Sequence, residues 1–149
     1  MIIILTIVFF LIDLGSKILV NNSIDLYDSI KIIDNFFYIT YVRNTGAAWS
    51  MFAGNRWMLV IVSLIIIVLI ILYMIKNKPG SKLEKIGYSM ILGGSIGNLF
   101  DRIVYGYVID FFDFYIFGYD YPIFNLADSF ILVGVLLLVI YTWRCKDGN

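Results

Sequence analysis

Residues Trp57 to Ile75 read WMLVIVSLIIIVLIILYMI, without a single charged side chain. A helix that crosses the roughly 30 Å hydrocarbon core of a bilayer needs about 20 mostly apolar residues. This stretch meets that length, and it decides the class of fold. The whole chain agrees with it: 61% of the 149 residues are hydrophobic, 15% are charged and the mean hydropathy is +0.90. Soluble domains run nearer half apolar and about a quarter charged. Net charge is zero, so nothing points to nucleic acid.

Working outward from that segment, three more apolar stretches appear, at about Met1–Val20, Ile86–Val104 and Leu126–Trp143. Hydropathy alone makes only the second and fourth obvious. Asp13 and Lys17 weaken the first, and polar residues with Gly87, Gly93, Gly94 and Gly97 weaken the third. The first lacks the basic start and small cleavage-site residues of a signal peptide, so a retained helix is expected. The expected fold is an all-α membrane protein, a single domain over 1–149 built as a four-helix transmembrane bundle. Its helices are placed at about 1–20, 57–75, 86–104 and 126–143, with connections at about 21–56 and 105–125.

Lysine and arginine in short loops set orientation. Lys76, Lys78, Lys82 and Lys85 crowd the link between the second and third segments, and Arg144 and Lys146 follow the fourth. With four spans these lie on one side, the cytoplasmic one, as do both termini. The connections 21–56 and 105–125 then face outward. Phe36 to Arg43, FFYITYVR, is aromatic and β-branched and reads as a strand. The second connection, YGYVIDFFDFYIFGYDYPIF, is dense in aromatics. It reads either as an interfacial belt or as a surface that dips into lipid or shields a site.

The polar residues gather at the outward end. Asp13 and Lys17 are four apart on one helical face, as are Asn98 and Arg102, with Asp101 beside them. Asp110, Asn125, Asp128 and Asn44 fall at the same level. Each has a structural explanation: an intrahelical Asp13–Lys17 pair, snorkelling of Asp101 and Arg102, an Asn125–Asp128 helix-start box. Gly93 and Gly97 suit close helix packing. Together, however, they leave a surplus of carboxylates, and intramembrane ionisable groups usually line a functional cavity.

The chain has no histidine and one cysteine, Cys145, which reads as incidental. Histidine-based triads and histidine-ligated zinc are therefore excluded. Asp110 and Asp128 have no obvious cationic partner in the sequence. Two carboxylates brought together at low dielectric share a proton, so that one activates water while the other polarises a carbonyl. Placement at one face permits such a meeting without requiring it.

Five ordered motifs carry a resemblance over nearly the whole chain: Asp13-Leu-Gly-Ser-Lys17, Arg43-Asn-Thr-Gly-Ala-Ala-Trp49, Gly93-Gly-Ser-Ile-Gly-Asn-Leu-Phe-Asp-Arg102, Tyr107-Val-Ile-Asp-Phe111 and Phe124-Asn-Leu-Ala-Asp-Ser129. With them the chain resembles the bacterial lipoprotein signal peptidases, signal peptidase II. The basic residues often seen before that family's first helix are missing here.

The resemblance implies a multi-pass aspartic endopeptidase of the bacterial cytoplasmic membrane, with its site at the extracytoplasmic face. The substrate would be a diacylglyceryl-modified prolipoprotein, cut on the amino side of the lipidated cysteine. It implies Asp110 and Asp128 as catalytic pair, and Asn44, Gly46, Asn98, Asp101, Arg102 and Asn125 as residues that shape the site or bind substrate, with Asp13 and Lys17 in support. It further implies a small β-rich cradle in the first outward connection, an aromatic flap in the second, inhibition by globomycin, no metal or cofactor, membrane lipid as surroundings and a monomer. Two rival classes are a small proton- or ion-coupled transporter, which would place carboxylates near the midplane and often repeat a half, and a non-catalytic assembly subunit.

Overall fold

The computed structural model describes residues 1–46 and 54–146. Ala47, Ala48 and Trp49 of the second motif, and the side chain of Cys145, lie outside the described residues. The elements run α1 (Ile2–Ser23), β1 (Ser29–Ile33), β2 (Phe37–Asn44), α2 (Arg56–Asn77), α3 (Lys82–Val104), β3 (Val108–Ile116), β4 (Tyr119–Asp120) and α4 (Leu126–Lys146).

Among the described residues three helices, α1, α2 and α4, are long and apolar enough to cross a membrane, with mean hydropathies of 2.4, 3.4 and 2.1. The first segment was expected to be masked by Asp13 and Lys17, yet it qualifies. Two polar positions among 22 do not outweigh its isoleucines and leucines. The fold is inverted relative to a soluble protein. Among the described residues the largest fully buried side chains are Lys17, Asn125, Asp13, Asp101, Asp110 and Ser89, while Ile3, Ile4, Leu11, Ile65 and Leu72 are exposed. Soluble proteins bury such apolar residues and expose the charges. The apolar outer surface fits a hydrocarbon solvent, and the polar interior must then satisfy itself.

The less apolar α3 is central and packs against α1, α2 and α4. It begins at Lys82, four residues before the expected start, because Ser81 and Glu84 form a capping box: the Ser81 Oγ accepts from the Glu84 amide at 3.0 Å and the Glu84 carboxylate from the Ser81 amide at 3.1 Å. Its glycines act as expected for packing. A methyl group on Gly93 would lie 2.6 Å from the Phe9 Cβ on α1, and one on Gly97 would collide with the Asp13 carboxylate. On the other side a methyl on Gly94 would run into the Ala127 carbonyl of α4. One helix thus approaches two neighbours at once.

The four strands make one antiparallel sheet in the order β1-β2-β3-β4. The strand read at Phe36–Arg43 is β2. The expectation of helices with a cradle in the first connection needs correcting: half of the sheet comes from the second. The stretch expected as a belt or flap contains β3, paired with β2 through Val42–Asp110, Arg43–Ile109 and Asn44–Val108. β3 is nearly continuous in apolar and aromatic residues, buried on both faces over Val108–Phe111, so no period of two marks it in sequence. Stacked rings reinforce the pairing, Phe37 on Phe114 at 4.5 Å and Phe114 on Phe124 at 5.8 Å.

Candidate active site

The start of α4 builds the centre. Asn125 and Asp128 cap reciprocally: the Asn125 Oδ1 accepts from the Asp128 amide at 3.0 Å, and the Asp128 Oδ2 accepts from the Asn125 amide at 3.3 Å. That is the helix-start box read from the sequence. The other half of the Asn125 amide does something the box does not need. Its Nδ2 donates to the Asp110 Oδ1 at 2.6 Å. Asn125 is wholly buried, so this one side chain ties the end of α4 to β3 and joins the two aspartates.

Asp110 receives a second amide from the neighbouring strand, where the Asn44 Nδ2 donates to its Oδ2 at 2.9 Å. Asp128 receives the Asn98 Nδ2 on its Oδ1 at 2.8 Å. Both carboxylates are thus held by neutral amide donors, and among the described residues neither forms an ion pair. Burial in β3 holds the Asp110 carboxyl well above the usual carboxylate range, and the nearby Asp128 charge adds to this. The Asn44 and Asn125 amides pull it back only partly, leaving it pushed up to about 7.

Beneath the pair lies a different arrangement. The Lys17 ammonium contacts Asp13 at 2.8 Å and Asp101 at 3.0 Å, all three side chains 1% exposed. The expected intrahelical pair is there, but it is part of a trio. Asp101 does not snorkel as expected. A cation offsets the cost of burying the Asp101 carboxylate, and Lys17 on the next helix supplies one. Asp13 also accepts from the Ala127 amide in the first turn of α4 at 2.9 Å, and Asp101 from the Ile109 amide of β3 at 3.3 Å.

The two arrangements connect through Asn98, whose Oδ1 accepts from the Lys17 ammonium at 2.9 Å. An ammonium can only donate. The Asn98 carbonyl must therefore face Lys17, which turns its amide nitrogen toward Asp128. Lys17 so sets the donor that reaches Asp128. Arg102 spans from α3 to the strand end, donating to the Gly46 carbonyl at 3.0 Å and the Asn98 carbonyl at 3.3 Å. Gly46 in turn donates its amide to the Asn44 Oδ1 at 2.9 Å.

All ten residues singled out from the sequence fall into this one network. Outside that network the sheet holds polar contacts that sequence reading did not single out. Thr40 donates to the buried Asp113 at 2.5 Å, and Arg43 is held by Tyr41. Arg43 already stood in the sequence as the last residue of the Phe36–Arg43 strand and the first of the second motif, and alternation turns it to the face opposite Asn44. Among the described residues no three His, Cys, Asp or Glu side chains group so as to hold a metal ion.

Residues 5–144 match the family model described as Signal peptidase (SPase) II. A lipoprotein signal peptidase of Anoxybacillus flavithermus is 42% identical over 139 residues, covering 93% of this chain and 83% of that protein. Two solved structures, each described as a bacterial membrane enzyme structure by the in meso method, are similar throughout. The one at 2.3 Å resolution has a TM-score of 0.90 with 32% identity, over 99% of this chain and 90% of the other. The one at 1.9 Å has a TM-score of 0.84 with 34% identity, over 95% and 91%. With its apolar helices, its buried carboxylate network and these likenesses, the chain is a multi-pass membrane protein and belongs to the signal peptidase II family.

Proposed function

We propose that the chain is an aspartic endopeptidase that removes the signal peptide from diacylglyceryl-modified prolipoproteins, cutting on the amino side of the lipidated cysteine. The observation that carries this reading is the joining of Asp110 and Asp128 by one asparagine, with neither carboxylate in an ion pair among the described residues. Near neutral pH such a pair holds one proton. The ionised member takes a proton from water as the water attacks the scissile carbonyl, and the protonated member donates to the carbonyl oxygen. The proton then passes to the leaving amine as the carbon–nitrogen bond breaks. Asn44, Asn98 and Asn125 orient the carboxylates, and Arg102 braces the Gly46 carbonyl at the end of β2.

The same reading takes α3 as a fourth span. Its 23 residues measure about 34 Å at 1.5 Å per residue, enough for the hydrocarbon core. The lysines between α2 and α3 then lie in the cytoplasm with both termini. The carboxylates, at the opposite end of α3, lie at the extracytoplasmic face of a bacterial cytoplasmic membrane, where water and a signal-peptide cleavage site meet. The enzyme acts as a monomer, surrounded by lipid, and is inhibited by globomycin. A transporter would need its carboxylates near mid-helix in the bundle; the placement of Asp110 and Asp128 at helix and strand ends disfavours it.

The test is cleavage of a diacylglyceryl-modified prolipoprotein by purified protein, followed on a gel. Wild type should cleave, and Asp110→Asn and Asp128→Asn, each folded, should lose cleavage by about a thousandfold or more. Near-normal cleavage by either folded variant would remove that residue from the pair.

A further inference from the structure

The sheet has a second face with a site of its own. Side chains alternate along a strand, so Asn44 and Asp110 turn toward the carboxylate pair while Arg43 and its register partner Ile109 turn away. On that far side a cavity of about 380 Å³ lies where α1 ends, lined by Lys17, Ile18, Asn21, Asn22, Arg43 and Tyr107, among others.

Arg43 is exposed at the rim of this cavity and is oriented by its contacts with two tyrosines. Its Nε donates to the Tyr41 hydroxyl at 3.1 Å, that hydroxyl donates to the Asn21 Oδ1 at 2.7 Å, and the guanidinium lies over the Tyr107 ring at 4.7 Å. Among the described residues no carboxylate pairs with Arg43, and its two terminal nitrogens have no hydrogen-bond partner. The other charges at the cavity are already matched: Lys17 is committed to Asp13, Asp101 and Asn98, and Asp101 to Lys17. The cavity therefore presents one held, uncommitted guanidinium beside the side-chain amides of Asn21 and Asn22. That donor set fits a singly charged phosphate diester, which arginine binds through its fork of N–H groups. It offers no free carboxylate to a headgroup ammonium.

One turn back along α1 the lining becomes apolar. Ile18 is 47% exposed and the adjacent Leu19 is 66% exposed on the outer surface of the helix. The change from guanidinium and amides to bare isoleucine and leucine follows the profile of a phospholipid, with phosphate at the helix end and acyl chain down its side. We propose that this cavity is a binding site for the phosphate of an anionic phospholipid, separate from the carboxylate pair and independent of the peptidase reading. Arg43 is its anchor, and Ile18 forms its acyl-side threshold.

The test uses the full chain in detergent, freed of lipid, with native mass spectrometry reading retained adducts. The probes are dioleoyl phosphatidylglycerol, dioleoyl phosphatidylcholine and inorganic phosphate. Wild type should retain phosphatidylglycerol at least tenfold more tightly than phosphatidylcholine, and millimolar phosphate should not displace it. Arg43→Gln should weaken phosphatidylglycerol at least tenfold. Ile18→Trp, a change at a half-exposed position that leaves Arg43 untouched, should do the same by filling the mouth, and decides the matter if Arg43→Gln does not fold. Wild-type retention by both folded variants, or equal retention of the two lipids, would overturn the site. Binding of phosphate without retention of either lipid would overturn the lipid as its source.

Discussion

Asp13 and Asp101 share a lysine, at 2.8 and 3.0 Å; Asp110 and Asp128 share an asparagine. All four belong to one hydrogen-bonded network, yet their electrostatic treatment is opposite. The lower carboxylates have a cation between them and are joined through backbone amides to α4 and β3. The upper ones accept hydrogen bonds from amides, which orient a carboxylate without cancelling its charge, and among the described residues neither is in an ion pair. A fold selected for stability alone would treat both pairs as it treats the lower one. On the proposed reading, the difference separates a device that holds helices together from one that keeps a proton mobile.

The sharpest way to break this comparison is to remove the cation. Lys17→Met would leave Asp13 and Asp101 buried without a cation, and unpairing a buried charge costs about 3–5 kcal/mol. Thermal unfolding in detergent should show a large drop in midpoint. An unchanged midpoint would mean that the trio is no clamp. A smaller effect should come from the link between the two arrangements. Asn98→Leu removes the donor to Asp128 while leaving Asp110 its Asn44 and Asn125 amides. Cleavage should fall by about 10- to 100-fold, mainly in kcat, as expected for loss of a group that orients a reacting one. If KM alone rose, Asn98 would belong to substrate binding instead.

The mildest probe is pH. With Asp110 pushed up to about 7, the pair holds its shared proton below that value and loses it above. Cleavage should fall about tenfold for each unit once the pH is well past 7, because the doubly ionised pair lacks its acid. A rate that is flat from pH 7 to pH 9 would contradict the shared proton.

Much of this was legible in the sequence because lipid imposes simple rules. Length and apolarity marked the helices, and the positions of Lys17, Asn98, Arg102, Asn125 and Asp128 toward helix ends, with Asp13 one turn deeper than Lys17, placed them near one level. The strand at Phe36–Arg43 declared itself through β-branched and aromatic residues. β3 did not, since burial on both faces removes the alternation by which a strand is read. The role of Asp101 was hidden for another reason. Sequence shows pairs four apart on one helix, as for Asp13 and Lys17, but not the approach of a second helix. That approach depends on Gly93 and Gly97, where any larger side chain would strike Phe9 or Asp13. Ser81 and Glu84 were in plain view as a capping box, and went unread because the lysines around them looked like a loop.

The most direct test of the contrast measures stability and cleavage together, on Asp110→Asn and Asp101→Asn at pH 8. A carboxylate whose pKa rises on folding binds protons more tightly in the folded state. It therefore costs stability as the pH climbs from about 4, its unfolded value, to about 7. Neutralising Asp110 removes that cost but sets an amide NH2 against the Asn44 or Asn125 donor, so the unfolding midpoint at pH 8 should change little while cleavage is abolished. Neutralising Asp101 takes a partner from Lys17 and should lower the midpoint clearly. A clear fall for Asp101→Asn alone, with cleavage lost in Asp110→Asn, is the predicted result. An equal fall in midpoint for both variants, or cleavage by Asp110→Asn, would contradict the division between clamp and catalytic pair.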